Sequence, residues 1–350
     1  MQLECWSIQG ASFHFGQHGL GQEQTMAAMP SDSLFAALVA RMARTHGAAA
    51  VDQFCQPFVD GKPPFVLSST FPFAGDVRFL PAPLIGRTDA DEVGVHAKKL
   101  KKIKYVSQGL FRSLLSGASL AKLYDPRHSL QGQEILVSPE DFKRLPPALQ
   151  QEGAEIWQIR QRPRVALDRS SSASNLFHIG EVRFAADCGL WFAVRWLAQE
   201  PALKKTFANL LYELAEAGFG AERAVGLGVA KVRSMSVLDL PDVKRSWVTL
   251  SRYLPVDDEM GGLADERSAY SIKAVGGWLD SPQNMGQRRR AVHLIEEGSV
   301  IGLKPERMAP GQMVDVQPRY KTTDGILEPL GHKVYRSGFA LAVGLEGGTG

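Results

Sequence analysis

Cysteine is scarce in this chain. Three cysteines, Cys5, Cys55 and Cys188, are scattered over 350 residues. Their spacing fits no zinc-binding motif, and an odd, dispersed set argues against a framework of disulfide bonds. We therefore expect buried free thiols in a reducing compartment and no structural metal ion.

Long apolar runs are equally absent. No stretch of the sequence is long and apolar enough to predict a membrane-spanning helix. Met1 is followed within a few residues by a strand-like segment, without the charged and apolar regions of a signal peptide. The content of 44% hydrophobic and 22% charged residues is typical of a soluble globular protein. We predict a cytoplasmic protein with no membrane partner, long enough for two domains.

Catalytic signatures are missing as well. The sequence has no HD pair, no GGDD-type palm motif and no H-E-x-x-H motif, and near the segments discussed below its carboxylates do not pair at metal-binding spacing. We therefore predict a protein that is not an enzyme and that uses neither a metal nor another cofactor. The net charge of +3 permits a nucleic-acid partner without requiring one.

Glycine, in contrast, is frequent, and four glycines fall within one eleven-residue segment. Residues 218–228 read Gly-Phe-Gly-Ala-Glu-Arg-Ala-Val-Gly-Leu-Gly, which places several glycines around a single arginine, Arg223. Glycine allows backbone N–H groups to turn outward and lets a bulky anion approach the chain. The alternative is an ordinary glycine-rich turn.

The elements around this glycine loop exclude two common phosphate-binding loops. An apolar stripe at helical spacing precedes it, at Leu203, Phe207, Leu210, Leu211 and Leu214. With Pro201 at its start and Gly218 at its end, the stripe predicts a helix, and a strand is predicted over 229–237. A dinucleotide-binding loop instead follows a strand and opens a helix, and a P-loop needs a Gly-Lys-Ser/Thr sequence that is missing here.

The other periodic segments complete a βαββαβ pattern. Strands are predicted over 3–8, 65–69, 77–80, 176–184 and 190–197, the last two as a hairpin. Ser31 is predicted as the N-cap of a helix that ends at Gly47, and Asp32 in its first turn favours the helix dipole. Without an inserted stretch, this order is that of a ferredoxin-like domain, to which we assign residues 1–240.

The inserted stretch spans about residues 86–164, between the second and third strands, and it is basic. Its lysines cluster at Lys98, Lys99, Lys101, Lys102 and Lys104, and it closes with arginines at 160, 162 and 164. A stretch this long inside a compact fold is expected to be functional or mobile rather than structural. The alternative for the lysine run is a solvated helix face.

A second unit is predicted beyond the first domain. Strand-like segments recur over 247–254, 269–279, 290–295, 313–316 and 339–345, while helical stripes are scarce. We interpret 241–350 as a second, degenerate ferredoxin-like domain. The predicted fold class is therefore α+β, with tandem ferredoxin-like (RRM-like) domains and a long basic insertion in the first.

Several segments along nearly the whole chain resemble one family, in the same order. The matching segments are 13–16, 31–38, 164–169 followed by 176–177, 218–228, 297–300 and 332–338. They resemble the RAMP superfamily of CRISPR RNA-binding proteins, and within it the Cas-five-like subunit that holds the crRNA 5′ handle in type III-A Csm complexes. The resemblance implies a non-catalytic RNA-binding subunit. Its implied partners are the crRNA, the large polymerase-like Csm subunit and an adjacent backbone RAMP subunit.

The resemblance and the basic insertion together select the residues expected to contact RNA. They are His14, Phe15, Gly16, Ser31, Lys98, Lys99, Lys101, Lys102, Arg164, Arg169, Gly218, Gly220, Arg223, Gly226, Gly228 and Arg336. Phosphates would be held by arginines, lysines and outward N–H groups, with bases stacked on aromatic rings. Without the resemblance, His14 is an ordinary surface histidine, and Arg223 could form an ion pair with Glu222.

Two other functions stay open at this point. In the first, the chain is a metal-independent RAMP endoribonuclease that processes precursor crRNA, with His14 as a weak candidate for the general acid or base. In the second, it is a scaffold that binds only proteins.

Overall fold

The computed structural model describes residues 1–16, 24–84, 97–151, 153–167, 174–279, 287–318, 320–321, 327–328 and 330–346. The α-helices in these ranges are α1 (Ser31–His46), α2 (Ala48–Val59), α3 (Ala97–Leu100), α4 (Gln108–Leu115), α5 (Leu120–Leu123), α6 (Pro139–Phe142), α7 (Pro201–Ala217) and α8 (Met260–Leu263). The strands up to residue 240 are β1 (Gln2–Gly10), β2 (Phe15–Gly16), β3 (Thr25–Met26), β4 (Phe65–Leu67), β5 (Phe71–Ala74), β6 (Val77–Pro81), β7 (Tyr105–Ser107), β8 (Ser129–Leu130), β9 (Ile135–Leu136), β10 (Trp157–Leu167), β11 (Ser174–Phe184), β12 (Cys188–Trp196) and β13 (Ala230–Asp239). The remaining strands are β14 (Ser246–Thr249), β15 (Ile272–Val275), β16 (Val292–Ile295), β17 (Val300–Ile301), β18 (Met313–Asp315), β19 (Tyr320–Lys321), β20 (Leu327–Glu328), β21 (Tyr335–Ser337) and β22 (Ala342–Leu345).

The largest sheet is built around β1. This strand pairs antiparallel with β13 on one side and with β12 on the other, and β12 also pairs with β4 and β5. The strand order β13-β1-β12-β5 is the one expected if the elements of the first unit follow the βαββαβ pattern. Beyond β5 the sheet continues through β6, β7, β9 and β8.

Helices α1 and α7 pack against each other, and α7 also packs against β13. In both helices the buried side chains recur at helical spacing, as the sequence predicts, because one apolar stripe faces the core. The buried residues of the two stripes include Leu34, Phe35, Leu38 and Met42 in α1, and Phe207, Leu210, Leu211 and Leu214 in α7. Gly218 ends α7 with φ +98°, a backbone angle that favours glycine.

The start of α1 differs from the prediction. Pro30 occupies the N-cap position, and no side chain caps the helix. Ser31 is already the first helical residue, and its hydroxyl accepts a hydrogen bond from the backbone N–H of Arg252 at 2.9 Å. Asp32 lies in the first turn as predicted, but it is completely buried. This end of α1 is therefore fixed by the C-terminal part of the chain.

The predicted hairpin between 176–184 and 190–197 is wrong. Strand β11 pairs with β10 instead, in a two-stranded ribbon that runs from the pair Trp157–Phe184 to the pair Leu167–Ser174. Strand β12 lies in the middle of the large sheet, where its side chains over 188–194 are buried. A strand that is apolar on both faces gains most from a central position, because both faces are then covered.

The inserted stretch is largely structural in its described part. Strands β7, β8 and β9 extend the large sheet, and α4 packs against β6 and β7. Its side chains belong to the main core, among them Ile103, Val106, Leu110 and Phe111. The described part of the insertion is therefore packed into the fold rather than mobile, and a function for it stays a prediction. Its exposed side chains include those of the lysine run and those of Arg160 and Arg162 on β10.

The C-terminal region is made of small antiparallel sheets. One has three strands, in the order β17-β14-β22, and three others are two-stranded: β15-β16, β18-β21 and β19-β20. In the described residues of this region the only α-helix is the four-residue α8. A second βαββαβ unit is therefore not visible there. Because Val248, Leu341 and Val343 belong to the same core as the first unit, the boundary at 240/241 stays a prediction.

The cysteines are free and buried, as expected. Burial raises the pKa of the Cys5 thiol to about 11, and that of Cys55 and Cys188 to about 12. No helix in the described ranges is long and apolar enough to span a bilayer.

The thiols should consequently react slowly with thiol-specific reagents in the folded state. Because the thiolate is the reactive form, raised pKa values and burial together predict slow labelling of Cys5, Cys55 and Cys188 at pH 8. We expect all three to react rapidly with Ellman's reagent once guanidinium chloride unfolds the chain. A thiol that reacts equally fast before and after unfolding would show that it is accessible in the native state.

Candidate nucleic-acid interface

The glycine loop leaves α7 at Gly218 and enters β13 at Ala230. Two buried side chains, Phe219 and Leu227, fix its two ends to the core, with 1% and 3% exposure. Between them, Arg223–Val225 form a single 3₁₀ turn. The loop is thus a short projection with anchored ends rather than a loose turn.

Backbone hydrogen bonds join this loop to the segment that follows β1. The N–H of Ala221 donates to the carbonyl of His14 at 3.0 Å, and the N–H of Gly228 donates to the carbonyl of Ser12 at 2.9 Å. Within the loop, the N–H of Phe219 donates to the carbonyl of Gly228 at 2.9 Å. The structure therefore brings together the predicted residues of the glycine loop and the His14 segment.

The glycines of the loop do not have equivalent roles. A Cβ on Gly220 would lie 2.3 Å from the His14 carbonyl oxygen, and a Cβ on Gly228 would lie 2.2 Å from the Phe219 carbonyl oxygen. The space beside the Cα atoms of Gly220 and Gly228 is therefore occupied by protein atoms and is not open to RNA. At Gly226, with φ +86°, an added Cβ would meet nothing within 4 Å. The exposed tip around Gly226 is the part of the loop that is open to a ligand.

Arg223 lies at this tip and is half-buried. A Cβ placed on Gly218 would lie 3.1 Å from the Arg223 Cγ, so the aliphatic stem of the arginine passes directly over that glycine. The residue before it, Glu222, adopts a left-handed conformation with φ 58°. The loop backbone thus fixes the direction from which the Arg223 side chain leaves.

His14 is a buried residue rather than a surface histidine. Its side chain is 4% exposed, and its Nδ1 lies 2.7 Å from the carbonyl oxygen of Gly180 on β11. The neighbouring residue, Phe13, exchanges backbone hydrogen bonds with Val182, at 2.9 and 2.8 Å. A ring in this position joins β11 to the loop, and it does not offer an open face on which a base could stack.

Phe15 is also buried, with 4% exposure, and its ring stacks on that of Phe13 with centroids 5.4 Å apart. Its backbone N–H donates to the hydroxyl of Thr25 at 2.9 Å. Gly16, in contrast, is exposed. The stacked rings of Phe13 and Phe15 therefore lie in the core beneath the His14 segment. Gly16 is the member of this segment that faces solvent.

The ribbon of β10 and β11 adds a row of arginines to the same site. Arg160, Arg162 and Arg164 alternate along β10, so they project from one face of the ribbon, opposite to Ile159 and Val165. Arg160 and Arg162 are exposed, and Arg164 is half-buried. Because the base of this ribbon is bonded to Phe13 and His14, the arginines extend from the same cluster as the glycine loop.

One carboxylate sits among these arginines. Glu181 is 7% exposed, and its oxygens lie 4.0 Å from Nη1 of Arg162 and 3.6 Å from Nε of Arg183. A single carboxylate facing several guanidinium groups leaves the ribbon with net positive charge. Arg164, one of the predicted RNA contacts, belongs to this ribbon.

Sequence reasoning missed the ribbon although its signal is present. Arginines stand at every second position from 160 to 164, which is a strand-like alternation. The prediction instead places these arginines at the end of the insertion and pairs β11 with β12. The apolar side chains of Leu176 and Val165 are 61% and 57% exposed. Their exposure cannot be predicted before the pairing of β10 with β11 is known. Arg169 falls outside the described residues.

The lysine run lies on another part of the large sheet. Lys98, Lys99, Lys101 and Lys102 are exposed, while Leu100 and Ile103 between them are buried. The run directly precedes β7, which four strands separate from β13 in the sheet order. The structure therefore places these lysines and the glycine loop on elements that do not pair.

Two further predicted contacts, Ser31 and Arg336, are buried between the two parts of the chain. Arg336 is 2% exposed, and its guanidinium donates to the carboxylate of Asp32 and, at 2.9 Å, to the carbonyl of Gly276. Ser31 is 5% exposed and binds the backbone of Arg252. The interpretation of Arg336 and Ser31 as RNA contacts does not fit these positions, because protein groups surround both side chains.

A second buried ion pair lies beside the first. Nε of Arg252, which is 4% exposed, is 3.6 Å from a carboxylate oxygen of Glu297, and the hydroxyl of Ser69 donates to the same oxygen. Burial raises the pKa of Glu297, and the nearby Arg252 guanidinium opposes this shift. The N-terminus of α1 is thus held to the C-terminal region by the buried Asp32–Arg336 pair. Glu297 adds an indirect link, because the Ser69 hydroxyl that donates to it accepts a hydrogen bond from the backbone N–H of Ser31 at 2.8 Å.

The chain is similar to known proteins in sequence and in fold. Residues 243–345 match the family model of the CRISPR Csm4 C-terminal domain. A relative from Thermococcus onnurineus (strain NA1), described as CRISPR system Cms protein Csm4, is 25% identical over 329 residues, covering 90% of this chain and 91% of the relative.

Two solved structures share the fold over the whole chain. One is a crystal structure of the Csm3-Csm4 subcomplex in the type III-A CRISPR-Cas interference complex, with a TM-score of 0.62, 16% identity, and coverage of 98% of this chain and 99% of the other. The other is a crystal structure of a Csm1-Csm4 cassette in complex with pppApA, with a TM-score of 0.55, 19% identity and full coverage of both chains.

Proposed function

We propose that the chain is a Csm4-type RAMP subunit of a type III CRISPR complex, and that it is the subunit that binds the 5′ handle of the crRNA. The observation that carries the proposal is the junction of three elements at one place. Backbone hydrogen bonds join the glycine loop to the His14 segment and that segment to the base of the arginine-bearing ribbon, where the His14 ring also contacts the Gly180 carbonyl. The sequence resemblance includes the glycine loop, the His14 segment and, of the ribbon, residues 164–169 and 176–177.

The chemistry of this junction suits a single strand of RNA. Exposed arginines of β10 supply positive charge for phosphates, and the open Gly226 lets a strand approach the loop backbone. Buried groups beneath it, including His14 and Phe15, keep these elements in fixed relative positions.

The same proposal covers the partners. The similar solved chains come from assemblies with Csm1 or Csm3. We propose that this chain likewise docks a large polymerase-like subunit and an adjacent backbone RAMP subunit, in a type III-A complex of the cytoplasm. In it the chain acts by binding alone, since the Nδ1 of His14 is bonded to a backbone carbonyl and its ring is enclosed.

Purification of the complex with its RNA tests the proposal. We expect the RNAs recovered with the chain to share one repeat-derived 5′ end when they are sequenced. Arg223→Met, which keeps the aliphatic stem over Gly218, removes one charge from the loop. If Arg223 contacts a phosphate, the slope of log affinity against log salt for the handle RNA should fall by about 0.7.

Lys205→Glu on the exposed surface of α7 is the matched control, and it should leave this slope unchanged. Recovered RNAs without a common 5′ end would contradict the proposal. Cleavage of precursor crRNA by the purified chain in EDTA, lost in His14→Ala, would instead favour the endoribonuclease. Full RNA occupancy in an assembled Arg223→Glu complex would favour the protein scaffold.

A further inference from the structure

The C-terminal region contains a second ribbon that the proposed function does not use. In β15 and β16 the pairs run from Ile272–Ile295 to Val275–Val292. The ribbon continues past a glycine pair, where the N–H of Arg289 donates to the carbonyl of Gly277 at 2.9 Å. It reaches the bridge between Trp278 and Arg288. We call residues 270–279 with 287–296, as far as the structure describes them, the C-terminal ribbon.

Large apolar side chains of this ribbon are exposed to solvent. Trp278 is 44% exposed, Tyr270 is 41% exposed and Ile272 is 55% exposed. Aromatic rings bury large apolar areas when they pack in a core, so the exposed Trp278 ring has apolar area left for a ligand to cover. The Arg288 guanidinium lies over the Trp278 ring, 4.9 Å from its centroid, in cation–π contact.

The ribbon is also basic. Arg288, Arg289 and Arg290 are consecutive, and His293 is exposed on the same ribbon. Two carboxylates among the described residues near it are engaged in other contacts. Glu296 lies 3.9 Å from Lys273 at the far end. Asp315 accepts hydrogen bonds from the backbone N–H groups of Gln317 and Val334, at 3.0 and 3.1 Å.

Arg290 has a positioning role within this cluster. Its guanidinium donates to the backbone carbonyls of Asp315 and Gln317, the latter at 3.1 Å. It ties the end of the ribbon to the strand β18. Arg288, on the exposed face with Trp278, is the arginine that a ligand meets first.

The ribbon is fixed to the first part of the chain through the buried ion pair described above. The carbonyl of Gly276, two residues before Trp278, accepts a hydrogen bond from Arg336, which pairs with Asp32 at the start of α1. The glycine loop is bonded to Ser12 and His14, at the other end of the connection between β1 and α1. The glycine loop and the C-terminal ribbon are therefore both bonded to the part of the chain that connects β1 to the start of α1.

We propose that the C-terminal ribbon is a second binding surface for single-stranded RNA, with Trp278 stacking on a base and Arg288 contacting the adjacent phosphate. An exposed indole with an exposed guanidinium beside it is a combination that binds single strands without sequence preference. The proposal rests on the proposed RNA-binding function and adds a site in the region that matches the Csm4 C-terminal domain.

The test measures RNA binding by the full chain. The probe is a fluorescein-labelled single-stranded RNA of mixed sequence, and its dissociation constant is followed by anisotropy. Trp278→Ala should raise this constant roughly 5- to 150-fold, while Trp278→Phe should retain most of the binding. Arg288→Glu should reduce the salt dependence of binding. Tyr212→Ala and Lys205→Glu on α7 are matched exposed controls and should leave both quantities unchanged.

A second measurement does not depend on a variant that folds. Ultraviolet cross-linking of the same RNA to the wild-type chain should give a cross-linked peptide that contains Trp278. A dissociation constant that is unchanged in folded Trp278→Ala and Arg288→Glu, without this cross-linked peptide, would overturn the proposal. Loss of a partner subunit from the complex at unchanged RNA affinity would also overturn it, and would make the ribbon a protein-docking surface.

The two proposals fail separately. Handle occupancy of the purified complex reports on the glycine loop, whereas binding of the mixed-sequence RNA in ribbon variants reports on Trp278 and Arg288. Complexes that carry no common 5′ end, combined with weakened RNA binding in the ribbon variants, would leave the ribbon as the RNA site and remove the handle site.

Discussion

Arg336→Ala is expected to lower the free energy of unfolding by about 3–5 kcal/mol, because it leaves a buried carboxylate without its cation. Asp32 is 0% exposed, and its Oδ1 has no hydrogen-bond partner even in the intact structure. Arg336 supplies the bond to its other oxygen and also holds Gly276. Loss of the guanidinium therefore weakens both the start of α1 and the C-terminal ribbon.

Urea denaturation followed by tryptophan fluorescence measures this change. The double variant Asp32→Leu with Arg336→Met should be more stable than Arg336→Ala, since it removes both charges and keeps apolar volume. Arg127→Ala is the matched control, because its ion pair with Asp125 is on the surface and its side chain is 81% exposed. This control should leave the midpoint essentially unchanged. An Arg336→Ala midpoint equal to that of Arg127→Ala would contradict the assigned role of the buried pair.

The buried pair also marks the limit of what the sequence could predict. Asp32 and Arg336 are 304 positions apart. The prediction that Asp32 lies in the first turn of a helix is confirmed. An aspartate at such a position, however, can either interact with the helix dipole or form a buried ion pair, and the sequence does not distinguish these roles. Arg336 was assigned to RNA because a lone arginine in a resembling segment carries no sign of its burial. Only the packing of β21 on α1 distinguishes an arginine that pairs with Asp32 from one that is exposed to RNA.

Local patterns succeeded where one periodic stripe determines the structure. The stripe from Leu203 to Leu214 and the stop at Gly218 predicted α7 and the loop after it, and both are present. The pairing of β11 failed for the opposite reason. Two neighbouring apolar segments predict a hairpin. Each segment can instead lie in the centre of a sheet or in an exposed ribbon, and tertiary packing decides which position each one takes.

Gly220→Ala is expected to have the second large effect, on the glycine loop itself. The substituted residue would have to hold φ +85°, which costs about 1–2 kcal/mol for alanine. Its Cβ would lie 2.3 Å from the His14 carbonyl oxygen, so the loop must also move away from that segment. Such a backbone shift adds about 1–3 kcal/mol and breaks the hydrogen bond from Ala221 to His14.

Gly226→Ala is the matched control for this prediction. It has nearly the same backbone angle, φ +86°, but an added methyl meets no atom within 4 Å. Its loss of stability should therefore be limited to the conformational cost of about 1–2 kcal/mol. Urea midpoints of the two variants thus separate steric displacement of the loop from backbone strain, and equal midpoints would refute the close approach of Gly220 to His14.

The same two variants separate the roles of the glycines in RNA binding. Gly220→Ala should weaken binding of the handle RNA because it detaches the loop from the His14 segment, and its loss of affinity should accompany its loss of stability. Gly226→Ala should weaken the same binding with little loss of stability, because the methyl group occupies the space through which the strand approaches. Handle RNA that binds Gly226→Ala as tightly as wild type would show that the tip of the loop does not contact it.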